Sequence, residues 1–362
     1  MKITVILCTY NRCLTLTKAL ESAAALRVPE PDEWEVLVVD NNSSDQTRQA
    51  VQQFCQRYPR RFHYLLEARQ GKSYALNAGI RKARGDVLAF MDDDVTVQPT
   101  WLQNLTASLH NTDWAGAGGR ILPQPTFTPP RWLSLKERYA LCPFALFDLG
   151  PEAGELAEAP FGTNMAFRRE MFEKYGGFRT DLGPCPGSEI RCEDTEFSQR
   201  LLAAGERLRY EPSAVVYHPI PECRLRKSYF LDFWFDKARA VVRAFATSVD
   251  TNWRVAGIPL FLFPRLAVWT LRWMIAVEPV RRFSCKLKVW GIVGEIVESS
   301  RQKRRAETFE RAGGRPAVET FWTKGGRRSP AVPVTTGVES QGAIEVNEAA
   351  EASADFRAQD EY

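Results

Sequence analysis

At 362 residues the chain can bury a large core, and its 44% hydrophobic and 25% charged content is that of an ordinary globular protein. The net charge of +4 hides an asymmetry: seven Arg or Lys and one Glu from Arg254 to Trp290, but seven acids and one Arg from Val338 to Tyr362. Nothing in between amounts to a broad basic face, which speaks against nucleic acid, and the eight cysteines form no CxxC or CxH pair, which speaks against structural zinc and for reduced, cytosolic thiols.

In chain order, Ile3 to Cys8 is an apolar, β-rich run. It is shorter than the roughly 7–15 apolar residues of a signal-peptide core, so it reads as a strand. Helical spacing follows from Leu14 to Leu26, then a strand over Glu35 to Val39 and a polar-faced helix over Asp45 to Tyr58. A third strand is expected over Phe62 to Leu66, a helix over Ser73 to Ala83, and a fourth strand over Asp86 to Met91. Trp101 to Leu109 reads as a helix and Trp114 to Leu122 as a strand. Strands alternating with helices predict βαβ units: an α/β fold with a mostly parallel sheet covered on both faces.

Ligands of such sheets bind at the carboxyl ends of the strands, where three polar clusters fall. They are Thr9-Tyr10-Asn11-Arg12, Asp40-Asn41-Asn42-Ser43 and Asp92-Asp93-Asp94. No GxGxxG follows the first strand, so a dehydrogenase loses its main support. Three carboxylates closing an apolar strand suit a solvated strand end, or a divalent cation with an anion on its far side.

Pro123 to Ala159 is rich in Pro, Trp and Phe without a clean period, and reads as a shaped loop over the site. "FGTNMAFRREMFEKYGGF", from Phe161 to Phe178, predicts a strand, a turn and a short helix. "EDTEFSQRLLAAG", from Glu193, predicts an amphipathic helix whose opening acids would serve as caps if they did nothing else. "LRYEPSAVVYHP" gives a last strand ending at His218.

With "VILCTYNR", "VVDNNSSD", "GKSYALNAGIRKARGDVLAFMDDDV" and the two segments just quoted, the chain resembles family 2 glycosyltransferases of the GT-A type over about its first 220 residues. The resemblance implies a Rossmann-like GT-A sheet and a nucleotide-sugar donor. It also implies a divalent metal (Mn²⁺ or Mg²⁺) and an inverting transfer to a hydroxyl acceptor. No QxxRW motif follows the acidic pair, which favours single-sugar addition over polymer synthesis.

Carried over residue by residue, the resemblance places Asp92 near the ribose and Asp94 on the metal, with Asp93 turned away. Asp40 would accept hydrogen bonds from the base, and Thr9, Tyr10 and Arg12 belong to the nucleotide-binding set, with Tyr10 stacking on the base or simply packing in its loop. Lys72 would reach phosphates or base, or stand solvated in a first helical turn. Asp194 matches the catalytic base, and Glu193, Gly162 and Asn164 fall on the acceptor side. His218 is a further metal ligand or a non-ligating histidine at a strand end.

Beyond Pro221 the resemblance fades. "KSYFLDFWFDKARAVVRAF" predicts a helix with an aromatic face, and Val255 to Val277 is strongly apolar but broken by Arg265 and Arg272. Each Arg at the centre of a spanning helix costs about 2.5–3.5 kcal/mol, so the segment reads as an interfacial helix on an anionic leaflet, or as a helix packed on the catalytic domain. The expected organisation is a catalytic domain over 1–225, a helical, amphipathic and membrane-associated region over 226–298, and a disordered tail over 299–362. The protein would then sit at the inner face of the cell membrane, acting on a lipid-linked glycan in surface polysaccharide or glycolipid assembly. A nucleotidyltransferase, which would need a Gly-rich triphosphate loop after the first strand, and a non-catalytic nucleotide-sugar sensor are the rival readings.

Overall fold

A computed structural model describes residues 1–130, 132–133, 141–245 and 253–311, with side chains to 303. Its elements begin β1 (Lys2–Thr9), α1 (Cys13–Ala24), β2 (Glu33–Asp40), α2 (Thr47–Arg57), β3 (Phe62–Leu66), α3 (Lys72–Lys82) and β4 (Val87–Asp92). There follow β5 (Thr96–Val97), α4 (Trp101–Thr106), β6 (Gly116–Pro123), β7 (Gly154–Glu155), β8 (Met165–Arg168), α5 (Arg169–Tyr175), α6 (Glu193–Ala203) and β9 (Leu208–His218). The two-residue strands β5 and β7 were not expected from the sequence, because two residues show no period.

The sheet runs β3-β2-β1-β4-β8-β6-β9-β5, with β7 also paired to β9. Strands β1 to β4 are mutually parallel, β8 is antiparallel to both β4 and β6, and β6 and β9 are parallel. The mostly parallel sheet expected from the sequence is therefore present, with antiparallel insertions in its second half. Side chains of β1, β2 and β4 alternate between two buried clusters. Ile3, Val5, Leu7, Val36, Val38, Val87 and Ala89 face α1, α2 and α4, while Ile6, Leu37, Val39, Leu88 and Phe90 face α3, α5 and α6. Burial on both faces is why these strands read as continuous apolar runs.

Between Gly119 and Arg120 the β6–β9 register slips, leaving Pro212, Ser213 and Ala214 as extra residues on β9. A bulge frees backbone groups that must find other partners. Asn164 supplies them: its amide donates to Arg120 O at 2.9 Å and Ala214 O at 2.8 Å, and its Oδ1 accepts the Trp101 indole N–H of α4 at 2.8 Å.

Past β9 come α7 (Lys227–Phe245), the two-residue strands β10 (Arg254–Val255) and β11 (Ile258–Pro259), α8 (Leu262–Ile275) and α9 (Pro279–Arg311). α9 packs on both α7 and α8. A Cβ on Gly294 would stand 2.4 Å from Phe235 O, so only glycine lets α9 approach α7 this closely. A third cluster joins Phe144, Leu146, Phe230, Phe283 and Leu287. α9 continues to Arg311, so residues 299–311 are helical where a disordered tail was expected; the rest of that tail, and residues 131 and 134–140 of the Pro123–Ala159 loop, lie outside the described residues. Among the described residues no helix is long and apolar enough to cross a membrane.

Candidate functional site

Register gathers the polar clusters. Thr9 pairs with Asp40 and Cys8 with Asp92, so the loops after β1, β2 and β4 open on one edge. β9 ends beside them at His218. Together with the first turn of α6 and one face of α7 they line a cleft of about 420 Å³. Thr9, Tyr10, Arg12, Lys72, Asp92, Asp93, Asp94, Gly162, Glu193, Asp194 and His218 all line it. Asp40 and Asn164 do not.

Asp40 lies just behind the cleft wall, 2% exposed, accepting Ser43 N–H at 2.9 Å on one oxygen and the Tyr64 hydroxyl at 2.8 Å on the other. Burial and this bond push the Tyr64 phenol up to about 12, so it stays a donor. Next to it Asn41, which the sequence reading passed over as loop, pins the loop before α3: its Nδ2 donates to Arg69 O at 2.7 Å and its Oδ1 accepts Gly71 N–H at 2.7 Å. Tyr10 is 40% exposed at the cleft mouth, free to offer a ring face.

The aspartate triplet splits in three directions. Asp92 accepts Lys72 Nζ at 2.8 Å and the Thr163 hydroxyl at 2.5 Å; burial disfavours its charge, but these partners outweigh burial and hold it well below the usual carboxylate range. Lys72 also reaches Glu193 at 3.6 Å. Burial opposes its ammonium, yet Asp92 and Glu193 hold its pKa well above the ordinary lysine value. Asp93 turns under the β1 loop to Thr9 Oγ1 at 2.7 Å and Arg12 at 3.1 Å, and burial pushes it up to about 6. Asp94 faces the other way: Oδ2 accepts Arg12 at 3.1 Å, while Oδ1 is buried with no hydrogen-bond partner, 3.8 Å from His218 Nε2.

His218 is 3% exposed and its Nδ1 is also buried without a partner. Burial lowers its pKa and outweighs the attraction of Asp94, so the ring is neutral near pH 7. A neutral imidazole beside an orphaned carboxylate oxygen is a donor set that suits a hard or borderline divalent cation. Among the described residues no three His, Cys, Asp or Glu side chains cluster closely enough to hold an ion by themselves.

On the far wall, Asp194 Oδ2 accepts Gly162 N–H at 2.7 Å and Oδ1 accepts Thr195 N–H at 2.6 Å. A Cβ on Gly162 would approach Asp194 Oδ2 to 3.1 Å, so the glycine leaves room for the carboxylate. Glu193 is buried with Oε2 unpartnered; burial raises its pKa against the pull of Lys72. The acceptor-side expectation for Asn164 is corrected: the residue is fully buried, and its amide is spent on the β6–β9 bulge and Trp101. Thr163, its neighbour, is the one that reaches the cleft.

The sequence predicts α7 as a helix with an aromatic face, but not as a wall of the cleft. Tyr229, Phe233 and Lys237, spaced i, i+4, i+8, all line the cleft. A lysine in the register of an aromatic stripe was the available signal. All eight cysteines are free thiols.

The architecture matches a solved mannosyltransferase from Pyrobaculum calidifontis, in complex with GDP-Man and Mn²⁺. The TM-score is 0.52 and the identity 20%, over 87% of this chain and 76% of that one. The fold is thus of the GT-A type. In sequence, residues 4–176 match glycosyl transferase family 2, and the chain belongs to that family. It is similar to the succinoglycan biosynthesis protein ExoM of Rhizobium meliloti, 31% identical over 218 residues, which are 60% of this chain and 66% of that protein. It is also similar to the glucosyl-dolichyl phosphate glucuronosyltransferase of Haloferax volcanii, 28% identical over 67% of this chain and 77% of that one.

Proposed function

We propose that the protein moves one sugar from a nucleotide-sugar donor, UDP-linked in the first instance, to a hydroxyl acceptor with inversion, in surface polysaccharide or glycolipid assembly. The observation that carries this reading is the convergence, in one cleft, of Asp94 and His218 with their orphaned atoms and Asp194 on the opposite wall. In this reading Tyr10 holds the base by stacking, while Asp40, buried behind the cleft wall where the sequence placed it on the base, holds the loop after β2 that carries Asn41 into the cleft. Asp92, fixed by Lys72 and Thr163, faces the ribose.

Asp94 and His218 are the residues that would hold Mn²⁺ or Mg²⁺. When bound, such an ion neutralises charge on the departing diphosphate. The acceptor oxygen forms a bond to the anomeric carbon as the bond from that carbon to the phosphate oxygen breaks. Asp194 takes the hydroxyl proton, and the nucleoside diphosphate leaves with the electron pair. Two backbone N–H bonds orient Asp194 while leaving lone pairs for the acceptor. Glu193 and the backbone at Gly162 flank that position.

Membrane docking belongs to the same proposal. Along α8, Val268, Leu271 and Ile275 form a stripe 49–66% exposed, and Met274 beside them is 63% exposed. Arg265 does not share that stripe: it pairs with Glu295 of α9 at 3.3 Å. An apolar stripe near Arg281, Arg282, Lys286 and Lys288 suits an anionic inner leaflet.

Asp94→Ala tests the donor half. UDP affinity in the presence of Mn²⁺ should fall by about 10–100-fold, the scale seen when a metal site is damaged. Unchanged affinity would remove Asp94 from the donor site.

A further inference from the structure

Lys237 has no part in the mechanism above, yet its side chain lines the cleft. Its ammonium donates to Cys192 Sγ at 3.3 Å, and no carboxylate forms an ion pair with it among the described residues. Burial raises the Cys192 thiol, which stays neutral near pH 7 and offers a weak acceptor but no charge. An ammonium carries three donors, and a half-buried one with a single weak partner is costly unless something else satisfies it. The other cations of the cleft are differently placed. Lys72 is paired with Asp92 and Glu193, Arg12 with Asp93 and Asp94, and Arg191 with Glu189, while Arg224 lies over the Tyr229 ring, 5.9 Å from its centroid.

Position decides which substrate this cation serves. Cys192 immediately precedes Glu193 and Asp194, so Lys237 stands on the side of the proposed base, where the acceptor hydroxyl must arrive. Tyr229 and Phe233, two turns and one turn earlier on α7, add an aromatic wall on which a sugar ring can lie. Resting on the glycosyltransferase reading above, we propose that Lys237 binds an oxyanion, phosphate or carboxylate, carried by the acceptor close to its reacting hydroxyl.

The test uses the full chain saturated with UDP and Mn²⁺. Matched octyl glycosides, octyl-phosphoryl glycosides, sugar 1-phosphates and uronic acids of glucose, galactose, mannose and N-acetylglucosamine (for the last, no uronic acid) are titrated calorimetrically. For at least one sugar, an anionic member should bind about 10-fold or more tightly than its neutral partner, the scale of a charge-assisted hydrogen bond. Lys237→Met should bring that ratio close to one, Lys237→Arg should retain part of it, and UDP affinity should stay within about twofold in both. Preference for the octyl-phosphoryl compound alone assigns the anion to a lipid-linked phosphate; equal preference for a sugar 1-phosphate or a uronic acid assigns it to a soluble acceptor. A ratio near one for every sugar in the wild-type chain overturns the proposal, whatever the variants do. So does a loss of UDP affinity in Lys237→Met as large as its loss of acceptor affinity. UDP and GDP affinities, measured first, test the glycosyltransferase reading, so the two can fail separately.

Discussion

At the β1–β4 end of the cleft, Asp40, Asp92 and Asp93 are tied to the protein itself, through Tyr64, through Lys72 and Thr163, and through Thr9 and Arg12. At the β9–α6 end the pattern reverses. Glu193 Oε2, His218 Nδ1 and Asp94 Oδ1 lack partners, Asp194 rests mainly on backbone N–H groups, and Lys237 leans on a thiol. Buried polar groups are ordinarily satisfied, so an end where they are not is one that a ligand completes. The first end is preorganised by packing; the second is left open.

The largest expected effect probes the open end. Asp194→Asn keeps the shape of the carboxylate and removes its basicity, so single-turnover transfer should drop by about 10²–10⁴-fold while UDP–Mn²⁺ affinity holds. Turnover close to wild type would make Asp194 a helix cap and move the search to Glu193. Next, Asn164→Ala tests the claim that this residue belongs to the framework. It strands Arg120 O, Ala214 O and the Trp101 indole, and should cost about 1–3 kcal/mol in denaturant unfolding. Transfer per folded molecule should change little, and a selective loss of acceptor affinity with unchanged stability would return Asn164 to the site. The smallest effect concerns the outer helices. Leu271→Glu with Ile275→Glu should leave folding intact and weaken binding to anionic vesicles several-fold in sedimentation. Equal binding by wild type and variant would mean that the α8 stripe does not touch lipid.

Legibility followed the same divide. β1, β2 and β4 could be read because strands buried on both faces carry long apolar runs, and each ends in a polar cluster. α7 was legible as a helix but not as a wall of the cleft, since the loops after β1 and β4 that share the cleft with it lie far away in sequence. Asn164 misled because its motif position sits one residue from Thr163, which does face the cleft, and a β-bulge that needs a side-chain donor leaves no local signal. The contact of Arg265 with α9 left no local signal, because its partner Glu295 is 30 residues away, beyond any helical spacing.

Arg12 bonds Asp93 and Asp94 at 3.1 Å each, so this part of the site offsets part of its own charge before any ligand arrives. A lone divalent ion would compete with Arg12 for Asp94 and leave the guanidinium without its counter-charge. A lone diphosphate would draw Arg12 off and leave two carboxylates facing each other. When both come together, Asp94 would exchange the guanidinium for the ion while Arg12 keeps Asp93 and turns its freed donors to phosphate, so that no charge is stranded. Titrating Mn²⁺ with and without UDP reads this coupling, and independent affinities would break it. Arg12 then works as a coincidence detector, making the cleft insensitive to free metal and free nucleotide and responsive to the two as one object.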